Sequence, residues 1–406
     1  MKRKWGAAIS LLICTMAIMT LSGCGGDDGG GAGGGPTPSI GVFVDSPVQG
    51  LNYSGPHFSG VTDSAGEFKY LPGDFVSFSI GSLSIGVSHP GAPMLTPFST
   101  LSNTPVATLT GNEGPVSLAR LLLTLNTTPG TGKITLPSPL PALPQLTSSA
   151  SWSDPSSFET AMQGVGLTPI GRAEAVAHLK AQFAIWGSWT TAGTASRLQV
   201  LTFLPNGRFI LADDDDPLVS GGADGMEQGT YRWNATTNEL SYVTAVNTDG
   251  TGGLSALTPG PYSFIIDSSG NAAMLRFGPN VNDTIAYTRV IDQNNSLIGA
   301  WSITQPTVDQ PGAILTLFVD GTFTVASDAI DTDPAGMERG TYVHDGTLHK
   351  ITFTTTVDTN GAGGLNAVAT LPAVETVGVS VIQSGTMMHV ETEPNVFLTF
   401  YGVAVP

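Results

Sequence analysis

The sequence predicts a mainly β protein: a small N-terminal β-sandwich with a short helical segment, followed by two tandem antiparallel meander repeats, each closing into a β-barrel. Its 406 residues are enough for several domains, each with its own core. The chain contains 51 Gly and 28 Pro, and only 12% of its residues are charged, which is typical of short strands joined by many turns. The third observation is an internal duplication.

The C-terminal half contains the motif Gly-Met-Glu-x-Gly-Thr-Tyr twice, at residues 225–231 and 336–342. The same landmarks surround both copies in the same order: a Gly-x-Trp sequence, a hairpin turn, the motif itself and a Gly-Gly-Leu turn. Period-two alternation predicts about eight short strands in each copy. Each copy is therefore predicted to be a small up-and-down barrel. The predicted repeats span residues 186–295 and 296–406.

The two repeats open with Gly187-Ser188-Trp189 and Gly299-Ala300-Trp301. A Gly-x-Trp at the start of an eight-stranded meander resembles the lipocalin signature. The resemblance implies that Trp189 and Trp301 plug the floors of their barrels, and that a barrel could carry a small apolar ligand.

Alternation along the repeated motif puts Glu227 and Tyr231 on one face of their strand, and Glu338 and Tyr342 on the same face of the second copy. The neighbouring position on the other face changes from Gln to Arg between the copies, so we expect the Glu–Tyr face to point inward. An inward carboxylate must be paired, hydrogen-bonded or protonated. Three roles remain open for these residues: a buried network that closes the barrel, contact with a bound ligand, and catalysis.

Carboxylates also precede the motif in both copies, at Asp213, Asp215, Asp328, Asp331 and Asp333. Clustered carboxylates in a loop suit Ca²⁺, which takes six to eight oxygen ligands. The spacing lacks the glycine and the closing glutamate of an EF-hand, so a solvated acidic loop is the alternative. We expect no other metal and no cofactor.

Residues 40–90 alternate between short strands and turns, which predicts a compact antiparallel β-sandwich. The stretch VDSPVQGLNYSG, continued by GVTDSAGEFKYLPGDFVSFSIGSLSIG, resembles a module common at the start of proteobacterial surface lipoproteins. It is more loosely similar to carboxypeptidase regulatory-like and other Ig-like domains, and the resemblance implies no catalytic residue. Residues 91–185 predict a Pro-rich helical cap packed on the sandwich, with helical apolar spacing in two runs: Leu118, Leu121, Leu122 and Leu125, then Ala175, Leu179 and Phe183.

The N-terminus predicts an export signal, because basic residues 2–4 precede a short apolar stretch at 5–20. The following Leu21-Ser22-Gly23-Cys24 resembles the lipobox of bacterial lipoproteins. The resemblance implies removal of residues 1–23 and lipidation of Cys24. Because Gly25 rather than Asp follows the cysteine, it favours the outer membrane. The Gly-rich residues 24–39 predict a flexible tether.

The net charge of −17 excludes nucleic acid as a natural partner, because phosphate backbones would repel the chain. The sequence has no His-Glu-x-x-His motif, no Gly-x-Ser-x-Gly motif and no Cys–His cluster, which weighs against an enzyme. We therefore expect a non-enzymatic, lipid-anchored cell-envelope protein with an adhesion, scaffolding or binding role. Its partners would be the membrane and a protein, a glycan or a small apolar ligand. The alternatives are a lipocalin-like carrier and a carboxylate-dependent hydrolase.

Overall fold

The structure is a computed structural model that describes residues 37–101, 112–146, 148–191, 197–215, 223–280, 282–291, 297–304, 312–329, 334–361, 364–365, 370–382, 386–394 and 396–403. The predicted leader, Cys24 and most of the tether lie outside these ranges. Within the ranges, no helix combines the length and the apolar character needed to cross a bilayer.

The N-terminal part of the described chain forms short strands: β1 (Ser39–Phe43), β2 (Val48–Gln49), β3 (Asn52–Ser54), β4 (Ser59–Val61), β5 (Glu67–Tyr70), β6 (Phe75–Ile80), β7 (Leu83–Pro90), β8 (Met94–Leu95) and β9 (Ile134–Thr135). One sheet has the order β5-β1-β8, a second has the order β4-β3-β6-β7, and β2 pairs with β9. The two larger sheets share a core, in which the Phe78 ring lies 4.9 Å from the Phe43 ring and 5.2 Å from the Phe68 ring.

Strands within residues 40–90 pair antiparallel, as predicted, but two short strands from the predicted cap, β8 and β9, add pairs that were not predicted. Strands β1 and β8 run parallel, as do β2 and β9. A tight hairpin can join only antiparallel neighbours, whereas β8 and β9 each return after a long excursion of the chain. The return after such an excursion permits parallel pairing, and local sequence patterns do not reveal it.

Helices follow in the order α1 (Pro97–Leu101), α2 (Glu113–Leu125), α3 (Ser149–Ser153), α4 (Pro155–Gly164) and α5 (Arg172–Gln182). The predicted leucine stripe of α2 is buried. Ala175 and Leu179 of α5 and the adjacent Phe183 are also buried, but they share a core with Trp189 of the first repeat rather than packing on the sandwich alone. The cap therefore joins the sandwich to the first barrel.

The predicted tandem barrels are confirmed. Barrel 1 is closed and antiparallel, with strands β10 (Gly187–Thr191), β11 (Arg197–Phe203), β12 (Arg208–Asp215), β13 (Gly225–Trp233), β14 (Glu239–Asn247), β15 (Tyr262–Ile266), β16 (Ala272–Arg276) and β17 (Thr284–Arg289). Barrel 2 repeats this order with β18 (Gly299–Ser302), β19 (Ala313–Leu317), β20 (Thr322–Ser327), β21 (Gly336–Asp345), β22 (Lys350–Asp358), β23 (Ala373–Ile382), β24 (Met387–Glu393) and β25 (Val396–Gly402). We call the end of barrel 1 that holds Trp189 and the β13–β14 and β15–β16 turns its base, and the opposite end its loop end.

The glycine in the middle of the repeated motif is explained by a β-bulge. Pairing of β13 with β14 shifts register at Gly229, and pairing of β21 with β22 shifts at Gly340. A Cβ at Gly229 would lie 1.9 Å from the Val243 carbonyl oxygen, and one at Gly340 would lie 2.0 Å from that of Thr354. No side chain fits so close to a backbone, so both copies need glycine here.

The two barrels pack through their outer faces with pseudo-two-fold symmetry. Met226 of β13 and the equivalent Met337 of β21 are both fully buried in one apolar cluster between the barrels. Arg339 forms an ion pair with Asp214, and at the equivalent position Gln228 can donate to Asp328 at 2.6 Å. The interface is therefore self-complementary, as in a symmetric dimer. Positions 228 and 339, which differ between the copies, both lie in this interface.

Candidate functional site

The repeated glutamate lies inside barrel 1, near the loop end. Glu227 is fully buried and points inward, as alternation predicts. Its Oε1 accepts hydrogen bonds from the Ser255 backbone N–H at 2.9 Å and the Ser255 hydroxyl at 2.7 Å, and its Oε2 accepts from the Thr244 hydroxyl at 3.3 Å. Burial raises the pKa of Glu227 despite these bonds.

Two more buried carboxylates converge beside Glu227. Asp213 accepts from the Gly253 backbone N–H at 2.7 Å and from the Gln199 amide at 3.1 Å. A Cβ on Gly253 would lie 2.4 Å from both Glu227 Oε1 and Asp249 Oδ2, so these two oxygens are at most about 4.8 Å apart. The Gly-Gly-Leu turn needs glycine at position 253 because the carboxylate oxygens leave no room for a Cβ atom there.

Barrel 2 keeps the glutamate, but several described residues of this polar network have less polar counterparts there. Glu338 also abuts its glycine turn, where a Cβ on Gly364 would clash with its carboxylate. At the position of Asp249 the side chain beside this turn is an amide, Asn360. Strand register shows four polar residues of barrel 1 replaced by less polar ones: Gln199 by Ala313, Asp213 by Ser327, Tyr242 by Phe353 and Tyr287 by Phe400. The glutamates are thus part of the shared architecture, whereas the extended network belongs to barrel 1.

The repeated tyrosines and tryptophans also hold the barrels together. The Tyr231 hydroxyl donates to the Leu204 carbonyl at 2.9 Å, and the Tyr342 hydroxyl donates to the equivalent Phe318 carbonyl at 2.7 Å. Both bonds close the turn between the second and third strands. Glu227 and Tyr231 share the inward face of β13, with Gly229 between them, and they lie towards opposite ends of the barrel.

The tryptophans plug the base of each barrel, as the resemblance implies. The indole nitrogen of Trp189 donates to the Ile185 carbonyl and that of Trp301 to the Leu297 carbonyl, both at 2.8 Å. Above Trp189, the rings of Phe264, Phe203 and Tyr231 contact one another in series, with centroids 4.8 to 5.3 Å apart. An apolar ligand at this level of barrel 1 would have to displace these rings.

Arg289 lies at the base of barrel 1, and the equivalent residue of barrel 2 is Gly402. Its guanidinium lies 4.0 Å from the Trp189 ring centroid and donates to the carbonyls of Gly270 at 2.6 Å and of Trp186 and Ala184 at 2.5 Å. Burial lowers the pKa of Arg289 to about 10, so it remains charged at neutral pH. Arg289 joins the segment after α5 to the barrel.

The base of barrel 1 also carries a surface groove of about 590 Å³, which we call the basal groove. Its walls come from the end of α5, the turns after β13 and β15, and the end of β17: Lys180, Ala181, Ala184, Trp233, Asn238, Ile266, Asp267, Ser268, Asn271, Arg289 and Ile291. The volume lies within the range of small-molecule sites, roughly 300–1,000 Å³. The lining mixes apolar and polar side chains, and the exposed polar side chains form the rim.

Sequence reasoning did not find the basal groove, because α5 and the two turns are far apart in the chain. A signal was present in the comparison of the repeats. Trp233 corresponds to His344 and Arg289 to Gly402, so the two repeats diverge at their bases.

The predicted calcium ligands do not form a common site in the described chain. Asp213 points into barrel 1, while Asp328 lies in the interface and accepts from the Ala329 backbone N–H at 2.8 Å. The Asp215 side chain, Asp331 and Asp333 lie outside the described residues. Among the residues that are described, no group of three or more His, Cys, Asp or Glu has a geometry suited to a metal ion.

Comparison with protein-family models, curated proteins and solved structures finds no match to this chain. The functional argument therefore depends on the geometry alone.

Proposed function

We propose that this chain is a lipid-anchored cell-envelope protein whose paired barrels form a non-enzymatic binding module, with the ligand site in the basal groove of barrel 1. The observation that carries the proposal is the groove itself. It has the volume of a ligand site, and the residues that distinguish its base from that of barrel 2 lie in its walls.

The anchor is supported by the sequence Leu21-Ser22-Gly23-Cys24 behind a short apolar stretch. Each buried acyl CH₂ group contributes about 0.8 kcal/mol, so a multiply acylated Cys24 would hold the protein stably on the outer membrane. The Cys24→Ser variant should appear in the soluble fraction and incorporate no labelled palmitate. Continued membrane association of this variant would contradict lipid anchoring without bearing on the groove.

A non-enzymatic role is supported by the state of the repeated glutamates. Glu227 and Glu338 are both fully buried, and each is held against its glycine turn. A catalytic carboxylate must reach the proton it transfers, directly or through one water. The hydrolase alternative would be favoured if Glu227→Gln together with Glu338→Gln abolished a measurable hydrolytic activity.

Occupancy of the groove can be tested through its tryptophan. Trp152, Trp186, Trp189 and Trp301 are each at most 2% exposed, whereas Trp233 is half-buried in the groove wall. The indole ¹H–¹⁵N signal of Trp233 therefore reports on the groove. In a screen with a library of small polar fragments, we expect hits that shift this signal and leave the Trp301 signal in place. A library without such hits would contradict a ligand site there.

A further inference from the structure

We propose that the ligand of the basal groove is a neutral mono- or disaccharide. This inference rests on the proposed function, and it follows from the chemistry of the groove walls.

The rim supplies hydrogen-bonding groups that no other described residue uses. The side chains of Lys180, Asn238, Ser268 and Asn271 line the groove, and within the described chain none of them has a hydrogen-bond or ion-pair partner. The two amides and the hydroxyl can each donate and accept, which matches the hydroxyl groups of a sugar. A wholly apolar ligand would bury these groups without partners, at a penalty of about 1–3 kcal/mol for each one.

Trp233 supplies an apolar surface for a sugar ring. Its indole nitrogen donates to the Phe264 carbonyl at 3.0 Å, which fixes the orientation of the ring. A tryptophan held in this way presents an apolar face at little cost in conformational entropy. Ala181 of α5 and Ala184, which follows the helix, also line the groove and leave room there for a flat ring.

The charges in the groove favour a neutral ligand. All three nitrogens of Arg289 already donate to backbone carbonyls. A hydrogen bond from the Ser269 hydroxyl and others from backbone N–H groups lower the pKa of Asp267, which keeps this carboxylate charged. Arg289 is buried and its charge faces these carbonyls, so the charges that a ligand can reach are Lys180 and Asp267, one of each sign.

Barrel 2 provides an internal control for this inference. His344 stands at the position of Trp233 and Gly402 at that of Arg289, and the helix that walls the groove precedes barrel 1. We therefore expect a single saccharide site for each chain.

The test is a titration of the full chain in detergent with glucose, galactose, N-acetylglucosamine and their disaccharides. At tens of millimolar, at least one sugar should shift the Trp233 indole signal and not the Trp301 signal. In calorimetry with the same sugar, Trp233→His and Asn271→Ala should each weaken binding about tenfold or more, equivalent to about 1.4 kcal/mol. His344→Ala in barrel 2 should bind like the unchanged chain.

Two controls keep these variants interpretable. Histidine is the residue of barrel 2 at the Trp233 position, and Asn271 is exposed, so circular dichroism should show both variants folded. If no sugar shifts the Trp233 signal while polar fragments do, the saccharide class is wrong and the binding function stands. If neither a sugar nor a polar fragment shifts the Trp233 signal, the saccharide ligand and the binding function of the groove are both wrong. Tighter binding of glucuronic acid than of glucose would overturn the neutral ligand.

Discussion

Replacing Glu227 by Gln should stabilise the protein at alkaline pH, because it removes one of several crowded buried carboxylates. Glu227 Oε1 and Asp249 Oδ2 are at most about 4.8 Å apart. At an effective dielectric constant of about 20, two unit charges at that maximum distance repel by roughly 3.5 kcal/mol. Gln keeps the shape of Glu, and its amide oxygen can still accept both bonds from Ser255. We expect a gain of about 1–3 kcal/mol at pH 8.

The sign of the pH dependence follows from the raised pKa of Glu227. The native state holds this proton more tightly than the unfolded state, so the wild-type glutamate is neutral in the fold near its ordinary pKa and charged at high pH. The advantage of Gln should therefore shrink as pH falls through the raised pKa towards about 4.3, the ordinary value for Glu.

Urea unfolding, monitored by tryptophan fluorescence from about pH 4 to about pH 8, measures the difference in stability between Glu227→Gln and the unchanged chain. The matched control is Glu338→Gln, whose neighbour is the amide of Asn360, so its gain should be smaller. A loss of stability in Glu227→Gln at pH 8 would refute the argument. If Glu227→Gln were less stable at pH 8 and Ca²⁺ also stabilised the unchanged chain, the two results together would indicate a cation held between the carboxylates.

Three further predictions concern the bulge, the barrel interface and the contact between the sandwich and α5. In thermal melts, Gly229→Ala should lower the free energy of unfolding by about 3 kcal/mol or more, because its Cβ would meet a backbone oxygen at 1.9 Å. The control is Gly164→Ala in α4, where the added methyl group would lie in open space. This variant should be as stable as the unchanged chain or more stable. Met337→Ala should cost about 2–5 kcal/mol in urea unfolding, since Met337 is fully buried between the barrels, and unchanged stability would contradict that interface. Burial opposes the charge on His178, but its 3.0 Å contact with Asp45 outweighs burial and raises the pKa of His178. The contribution of this contact to stability should therefore be complete below about pH 6.5 and should disappear as pH rises through the raised pKa of His178. His178→Gln should remove that pH dependence from the melting temperature.

The barrel strands could be predicted because each is a short alternating run bounded by turn residues. β13 (Gly225–Trp233), for example, contains the whole repeated motif of residues 225–231. Consecutive antiparallel strands of similar length pair with their neighbours, so a meander was the natural topology. The inward direction of Glu227 followed from the same alternation.

The contacts between units could not be predicted in this way. Alternation separates the two faces of a strand but does not tell whether the outer face meets water or another barrel, so the roles of Gln228 and Arg339 were missed. The basal groove is built from three segments that no local pattern connects. Differences between the two repeats, such as Trp233 against His344, carry more functional information than the motif they share.

The measurement that tests the central claim most directly is a calorimetric titration of two variants, Trp233→His and Glu227→Gln, with the sugar among those tested that shifts the Trp233 indole signal. If the shared motif supports the architecture and the basal groove of barrel 1 binds the ligand, Glu227→Gln should bind like the unchanged chain and Trp233→His should bind at least about tenfold more weakly. The reverse result, with binding lost in Glu227→Gln and kept in Trp233→His, would place the site inside the barrel and contradict the account.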